Sequence, residues 1–222
     1  MNIGTVGLVS DTVKIRPYDS RLRRDRAEAT RRSVLGAARD LFLHRGYHGT
    51  SVADVAQRAE VSVDTVYASV GRKPQLLLAV HDMVLGSSDQ PVPAEQRGYV
   101  RAVREAATAR EKIRLYADAL AELLPVTVPL LLALKEAGAR EAACREQHEA
   151  ISDRRRRNMH LLAADLRATG QLRADLTDDQ VADLVWSMNS PEYFSLLSAG
   201  GHTPEQSADL VTDVWTRTLL TS

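Results

Sequence analysis

Residues 51–70 read SVADVAQRAEVSVDTVYASV, and this stretch decides the fold. Ser51 precedes the apolar set Val52, Val55 and Ala56, with Asp54 three residues on, a Ser-x-x-Asp pattern that caps a helix start. Ser62 stands in the same relation to Val63, Val66 and Tyr67, so two short helices with a tight turn between them are predicted. Val52, Val55, Ala56, Val61 and Val66 would hold their angle, and a residue as small as Ala56 lets the two helices approach closely. Such a pair suits a helix-turn-helix, whose first helix braces the second while the second offers small or polar side chains to a major groove. On pattern alone, a compact helical hairpin with no nucleic-acid role fits equally well.

Upstream, Val34, Leu35, Ala38, Leu41 and Phe42 lie on one helical face that Gly46 ends. Downstream, Gly71 breaks the third helix, and Pro74 sits in the first turn of a fourth that carries Leu76, Leu77, Val80 and Val84. A Ser/Asp/Pro-rich stretch from 86 to 93 interrupts the pattern. Beyond it, helical faces recur: Ile113, Tyr116, Ala117, Leu120 and Leu124; then Val181, Leu184, Val185 and Met188; then Leu210, Val211, Val214, Trp215 and Leu219. Thr177 with Gln180, Ser190 before Pro191 and Thr203 before Pro204 mark starts, and Gly170 and Gly200-Gly201 mark stops. Strand alternation and internal repeats are absent, so the fold class is all-α.

Charge sharpens the division. The 222 residues balance 29 basic against 29 acidic side chains, which taken whole argues against a polyelectrolyte binder. Locally the balance breaks: residues 14–50 carry ten Lys/Arg against four Asp/Glu, and residues 81–222 carry 16 against 21. A basic N-terminal quarter and an acidic remainder imply two jobs in one chain. One cysteine, Cys144, excludes an internal disulfide framework and an all-cysteine zinc site. The most apolar run, 123–134, is short of the roughly 20 residues a membrane span needs, so no membrane association and a cytoplasmic location are expected.

The run from Ser33 through Asp82, including AARDLFLHRGYHGTSVADVAQRAEVSVDTVYASVGRKPQLLLAV, resembles the N-terminal domain of TetR-type transcriptional regulators. The shared positions include Gly46-Tyr47, Thr50-Ser51, Asp54-Val55-Ala56, Val61-Ser62, Thr65-Val66-Tyr67, Lys73 and Leu76-Leu77. The segment VWSMNSPEYFSLL and the two final amphipathic helices look like the same regulators, more weakly. The resemblance implies a homodimeric, Ω-shaped, all-helical repressor with a ligand-binding core. The expected organisation is a flexible basic arm over 1–27, a three-helix helix-turn-helix DNA-binding domain over 28–75, and a helical effector-binding and dimerisation domain over 76–222.

Site residues follow from the same likeness. Tyr67 and Lys73 resemble the pair that contacts phosphate, Thr50 and Ser51 occupy positions that meet the DNA backbone, and Ser62, Val63, Asp64 and Thr65 fall where side chains reach base edges. Ser51 and Ser62 must cap their helices in any case, and Val63 could simply pack. Glu60 stands where the family often has Gly, so a left-handed backbone there would cost roughly 1 kcal/mol. Val70 replaces an aromatic, and Asp64 brings negative charge toward phosphate, unless it accepts from a cytosine amino group. Because residues 51–80 are neutral, attraction to DNA is assigned to Arg21, Arg23, Arg24, Arg26, Arg31 and Arg32, the arm following the backbone or entering a minor groove.

In the second domain, Leu210, Val211, Val214 and Trp215 are the expected dimer anchors, a two-fold pair matching the half-sites of a near-palindromic operator. An unknown small-molecule effector is expected among helices from 95 to 190, with Tyr116, Leu120, Leu134, Met159 and Trp186 as candidate lining, and Leu123, Leu130, Leu162 and Tyr193 beside them; each could equally be ordinary core. His44 and His48 are spaced like a metal pair, but Gly46 falls between them and no third ligand is near, so no metal is expected. Arg154 to Arg157 read as a solvated face, with Asp153 pairing to Arg156 or Arg157. No nucleophile elbow, phosphate-binding loop or dinucleotide fingerprint occurs, so neither an enzyme nor a cofactor is expected. The competing reading is a helical small-molecule-binding or partner-binding protein that has lost DNA binding.

Overall fold

A computed structural model describes residues 17–88 and 92–221. The described residues form ten α-helices: α1 (Pro17–Arg45), α2 (Val52–Arg58), α3 (Val63–Ser69), α4 (Lys73–Gly86), α5 (Gly98–Glu105), α6 (Ala109–Gly138), α7 (Ala142–Arg167), α8 (Asp178–Met188), α9 (Pro191–Ala199) and α10 (Pro204–Leu219). No strand occurs among them; Leu172 and Leu220 make an isolated antiparallel bridge that ties the C-terminus to the α7–α8 loop. The helix starts follow local chemistry. Ser51, Thr177 and Thr203 form reciprocal capping boxes with Asp54, Gln180 and Gln206, and Pro191 and Pro204 open their helices. Thr108 and Glu111 form a further box at α6 that the apolar pattern did not reveal.

One expectation at the N-terminus is corrected. Residues 17–27, read as part of a flexible arm, are the first turns of α1. Pro17 is a natural first helical residue, Ala27 and Ala29 are strong helix formers, and Arg24 and Glu28 pair at 3.7 Å across one turn. The apolar period that locates a helix begins only where α1 meets its neighbours, at Val34. Residues 1–16 of the expected arm lie outside the described residues.

The helix-turn-helix core joins Val34, Leu35 and Ala38 of α1 to Val55, Ala56, Val66, Leu76, Leu77 and Val80. Two backbone details fix its turns. Glu60 adopts φ 56°, the left-handed conformation expected at that position. At Gly49 a Cβ would lie 2.3 Å from the Arg45 carbonyl oxygen, so only glycine fits there. The boundary expected at 75–76 is not a boundary in packing, because α4 crosses it and closes back on α1. The same core continues through Leu130, Leu131, Leu134 and Ala137 of α6 and Cys144 and Ile151 of α7, so the two domains share apolar contacts.

In the C-terminal domain α6 is the central helix, with α4, α5, α7, α9 and α10 packed around it. Pro125 and Pro129 interrupt its hydrogen-bond ladder, and Thr127 Oγ1 donates to the Leu123 carbonyl at 3.0 Å within that stretch. By length and composition α6 could cross a membrane. Its apolar residues are instead the centre of the bundle: Ile113, Tyr116, Leu120, Leu124 and Val128 pack against Met159, Leu166, Val185 and Trp215.

Candidate nucleic-acid interface and internal cavity

α3 is amphipathic across only seven residues. Val66 is its buried anchor, while Val63 and Tyr67 on the other side are 37% and 47% exposed, with Asp64 exposed between them. Ser62 Oγ accepts the Thr65 N–H at 3.1 Å and lies 2.8 Å from Thr65 Oγ1, which fixes both hydroxyls at the helix start. An aromatic and an aliphatic side chain thus stand at the surface beside two hydroxyls. Behind it, Arg31 Nη1 donates to the Ser69 carbonyl at 2.6 Å, so α1 braces the C-terminal end of α3.

Of the expected DNA contacts, Ser62, Val63, Asp64, Thr65 and Tyr67 gather on or beside this face. Arg32 is exposed on α1. Ser51 caps α2: its hydroxyl accepts the Asp54 N–H at 3.0 Å and donates to Asp54 Oδ2 at 2.6 Å, and this bond, with the Ser51 N–H donating to the same oxygen at 2.8 Å, holds the Asp54 carboxyl below its ordinary value. Thr50 requires correction. Thr50 is 1% exposed, and its hydroxyl bonds the Leu41 and Gly46 carbonyls at 3.2 and 2.9 Å, so it closes the α1 end rather than facing a duplex. Arg31 is half-buried, with Nη1 bonded to the end of α3. Helical phase places a side chain on a face but not the neighbour that claims it.

Lys73 belongs to a cluster at the domain junction. Its Nζ lies 4.0 Å from the Tyr47 ring centroid, and burial lowers its pKa against the opposing pull of Glu141. The Tyr47 hydroxyl lies 3.3 Å from Glu141 Oε2 and 3.2 Å from Cys144 Sγ, linking the α1–α2 turn to the start of α7. Burial raises the Tyr47 pKa. A phosphate contact by Lys73 requires its ammonium to leave this ring. His44 Nδ1 lies 2.7 Å from the Asp40 carbonyl oxygen, on the far side of Gly46 from His48.

Between α4, α5, α6 and α7 lies a cavity of about 310 Å³, closed at one end by Asn189 and Pro191. Its wall is mostly apolar. Tyr116, Leu120 and Met159 line it as expected, with Leu123 and Leu162. Leu134 and Trp186 do not, nor do Leu130 and Tyr193. The cause is the 3.6-residue period of α6: Leu120, Leu123, Leu124, Thr127 and Leu131 face the cavity, while Leu130 and Leu134 lie on the adjoining stripe toward α1 and α4. Trp186 packs on the bundle exterior, its ring 6.0 Å from the Arg156 guanidinium.

The arginine run is also corrected. Successive residues on α7 point in four directions, and the first two turn inward. Arg154 pairs with Asp82 of α4 at 2.6 Å. Arg155 donates to the Asn189 and Trp186 carbonyls at 3.0 and 3.4 Å and to the Asn189 side-chain oxygen, and burial lowers its pKa. Arg156 reaches Asp183 at 3.1 Å rather than Asp153. The sequence contained no signal for these partners, which sit on other helices. Asn189 Nδ2 in turn donates to the Tyr116 hydroxyl at 2.7 Å.

Two of the expected dimer anchors are interior. Val211 and Trp215 are 0% and 1% exposed, with the Trp215 ring stacked 6.0 Å from Tyr116, because the 211–215–219 stripe of α10 faces α6. Leu210 and Val214, one position earlier, are half-buried on the outer side.

An exposed recognition helix on a braced three-helix body, joined through a shared core to a bundle enclosing a ligand-sized cavity, defines a helix-turn-helix protein of the two-domain, all-helical class. Residues 34–80, which hold the helix-turn-helix, match the family described as bacterial regulatory proteins, tetR family. The HTH-type transcriptional regulator HbdR of Aromatoleum sp. (strain CIB) is 30% identical over 76 residues, 34% of this chain and 33% of that protein. The chain thus spans about a third of the length of the curated relatives it matches. Among solved structures, a putative transcriptional regulator from Saccharomonospora viridis in complex with choline superposes with a TM-score of 0.67 at 18% identity, covering 86% of this chain and 98% of that one. NalD of Pseudomonas aeruginosa, described as a secondary repressor of the MexAB-OprM efflux pump, gives 0.66 at 20% identity, covering 88% and 99%. These two structures share the fold of this chain over 86% and 88% of its length.

Proposed function

We propose that the chain is a sequence-specific DNA-binding transcriptional regulator, a homodimeric repressor of the cytoplasm that a small-molecule effector releases from a near-palindromic operator. The observation that carries it is the outward face of α3, where Ser62, Val63, Asp64 and Tyr67 stand in solvent with Thr65 half-buried beside them, on a helix whose other side is anchored by Val66 and whose end is braced by Arg31. Tyr67 and Ser51 act on phosphate, the residues from Ser62 to Thr65 on base edges, and Arg32 with the basic first turns of α1 supplies the salt-dependent attraction. No catalytic step is involved.

The cavity supplies the switch by linkage. His81 and Leu85 of α4 form part of its wall, and Leu131 and Ile151 belong both to that wall and to the helix-turn-helix core. Asp82 and Arg154 tie α4 to α7 beside it. A ligand that favours a different seating of α4 changes the spacing of the two recognition helices by its differential affinity for the two states. Dimerisation uses the outer faces of α8 to α10, with Leu184, Leu196, Leu210 and Val214 in place of the buried Val211 and Trp215. Selection of duplexes from a random pool by the full chain tests this reading. Enrichment of one motif with two related half-sites is the expected result; a pool that stays random at low salt contradicts it.

A further inference from the structure

The cavity wall is mostly apolar, yet it holds two arginines, Arg97 and Arg155, that have no carboxylate within ion-pair distance among the described residues; Glu192, which pairs with Lys135 at 2.6 Å, acts on Arg155 only from farther off. Arg97, at the start of α5, is 6% exposed, and its Nε has no hydrogen-bond partner among the described residues. Arg155 is held by the carbonyls of Trp186 and Asn189 and by the Asn189 side chain, dipoles that orient a guanidinium without cancelling its charge. Arg154 also lines the wall, but its charge is met by Asp82. The two carboxylates of the wall are Glu95, which is exposed, and Asp165, which is half-buried; among the described residues neither stands within ion-pair distance of Arg97 or Arg155. The imidazole of His81 lies in the same wall, and burial favours its neutral form. The excess charge inside the cavity is therefore positive.

A buried guanidinium without a counter-charge is costly, and a ligand that supplies one recovers that cost as binding energy. A carboxylate meets the fork of an arginine with two parallel hydrogen bonds, whereas an ammonium in the same place is repelled. The rest of the cavity offers Leu120, Leu124, Met159 and Leu162, which accept only an apolar body. A volume of about 310 Å³ sits at the small end of ligand sites. Resting on the reading of this cavity as the effector site, we propose that it selects a small organic acid, its carboxylate on Arg97 beside Arg155 and its apolar body between α6 and α7.

Calorimetric titration of the full chain with two matched series tests the assignment: 4-phenylbutyrate, 4-phenylbutanol and 4-phenylbutylammonium, and octanoate, octanol and octylammonium. In at least one series the acid is expected to bind about tenfold or more tightly than its alcohol, with no binding of the ammonium. Arg97→Met is expected to bring the acid down to the level of the alcohol while the alcohol still binds, which shows that the variant is folded. Equal affinity for acid and alcohol, tighter binding of an ammonium, an acid preference that survives Arg97→Met, or no binding of either acid at millimolar concentration overturns it. Titration of operator DNA with each compound separates the two readings. Acid binding without a change in DNA affinity removes the regulatory role and leaves the site. Release of DNA by an alcohol or ammonium but not by its acid keeps the regulatory role and overturns the acid.

Discussion

On the helix-turn-helix body, Arg39 and Arg58 pair with Asp40, and Arg45 lies 4.0 Å from Asp54, all at the surface. In the C-terminal bundle, Arg97, Arg154 and Arg155 turn inward around a cavity. The first arrangement keeps charge in water, where such pairs contribute little to stability and leave the α3 face free for a partner. The second places charge where it is strongly felt, so the same residue type brackets a surface in one region and lines a cavity in the other. The difference shows that arginine content alone says nothing of where a nucleic acid binds; burial and partners do.

The sharpest way to break this division is Trp215→Ala. Trp215 is 1% exposed against Tyr116, so its loss is expected to destabilise each protomer by about 3–5 kcal/mol in chemical denaturation. Val214→Ala, on the outer side, is expected to cost less than about 1 kcal/mol in the protomer and to weaken association instead. A Trp215→Ala chain that keeps its stability and merely dissociates would return that residue to the interface.

Thr50→Val comes next. It leaves the Leu41 and Gly46 carbonyls without their hydroxyl donor, at an expected cost of about 1–3 kcal/mol, with DNA affinity of the folded protein unchanged. An intact melting curve with weakened DNA binding would place the hydroxyl on phosphate after all. Smaller still, Glu60→Gly relieves a φ of 56° and is expected to raise stability by up to about 1 kcal/mol.

The gentlest effect is on pH. Burial, partly opposed by Asp82 and reinforced by Arg154 and Arg97, holds His81 below its ordinary 6.5, so the unfolded chain binds the extra proton. Stability is therefore expected to fall as pH drops from about 7 to 5, through the unfolded value, and to level off below the folded one. Asp82, whose carboxyl is also held low, contributes only in a window below 3.8. His81→Gln should flatten part of the fall in thermal scans, leaving the share of His148, which burial also depresses.

The helix-turn-helix was legible because its signals are local. Ser51 with Asp54, Ser62 with Thr65 and the apolar steps among Val52, Val55 and Val66 each lie within one or two turns, and the residues themselves set the geometry. The second domain was legible as helices but not as a site. Periodicity marks the Leu210–Trp215 stretch as amphipathic without saying which stripe meets α6, and it cannot tell Leu131 in the cavity from Leu134 in the neighbouring core. The run Arg154–Arg157 read as solvated because Asp82 and Asn189 are 72 and 34 residues from their partners. Long-range pairing of this kind leaves no trace in spacing.

The most direct measurement is a fluorescence-anisotropy titration of the duplex upstream of the protein's own gene, alongside a scrambled duplex of equal length, with the wild-type chain and with Tyr67→Ala. The wild type should prefer the upstream duplex, and Tyr67→Ala should weaken that binding about tenfold or more while its melting curve stays unchanged, because Tyr67 is half exposed and supports no core. Equal affinity for both duplexes, or a Tyr67→Ala chain that binds like the wild type, would contradict the assignment of α3 as the DNA-reading surface.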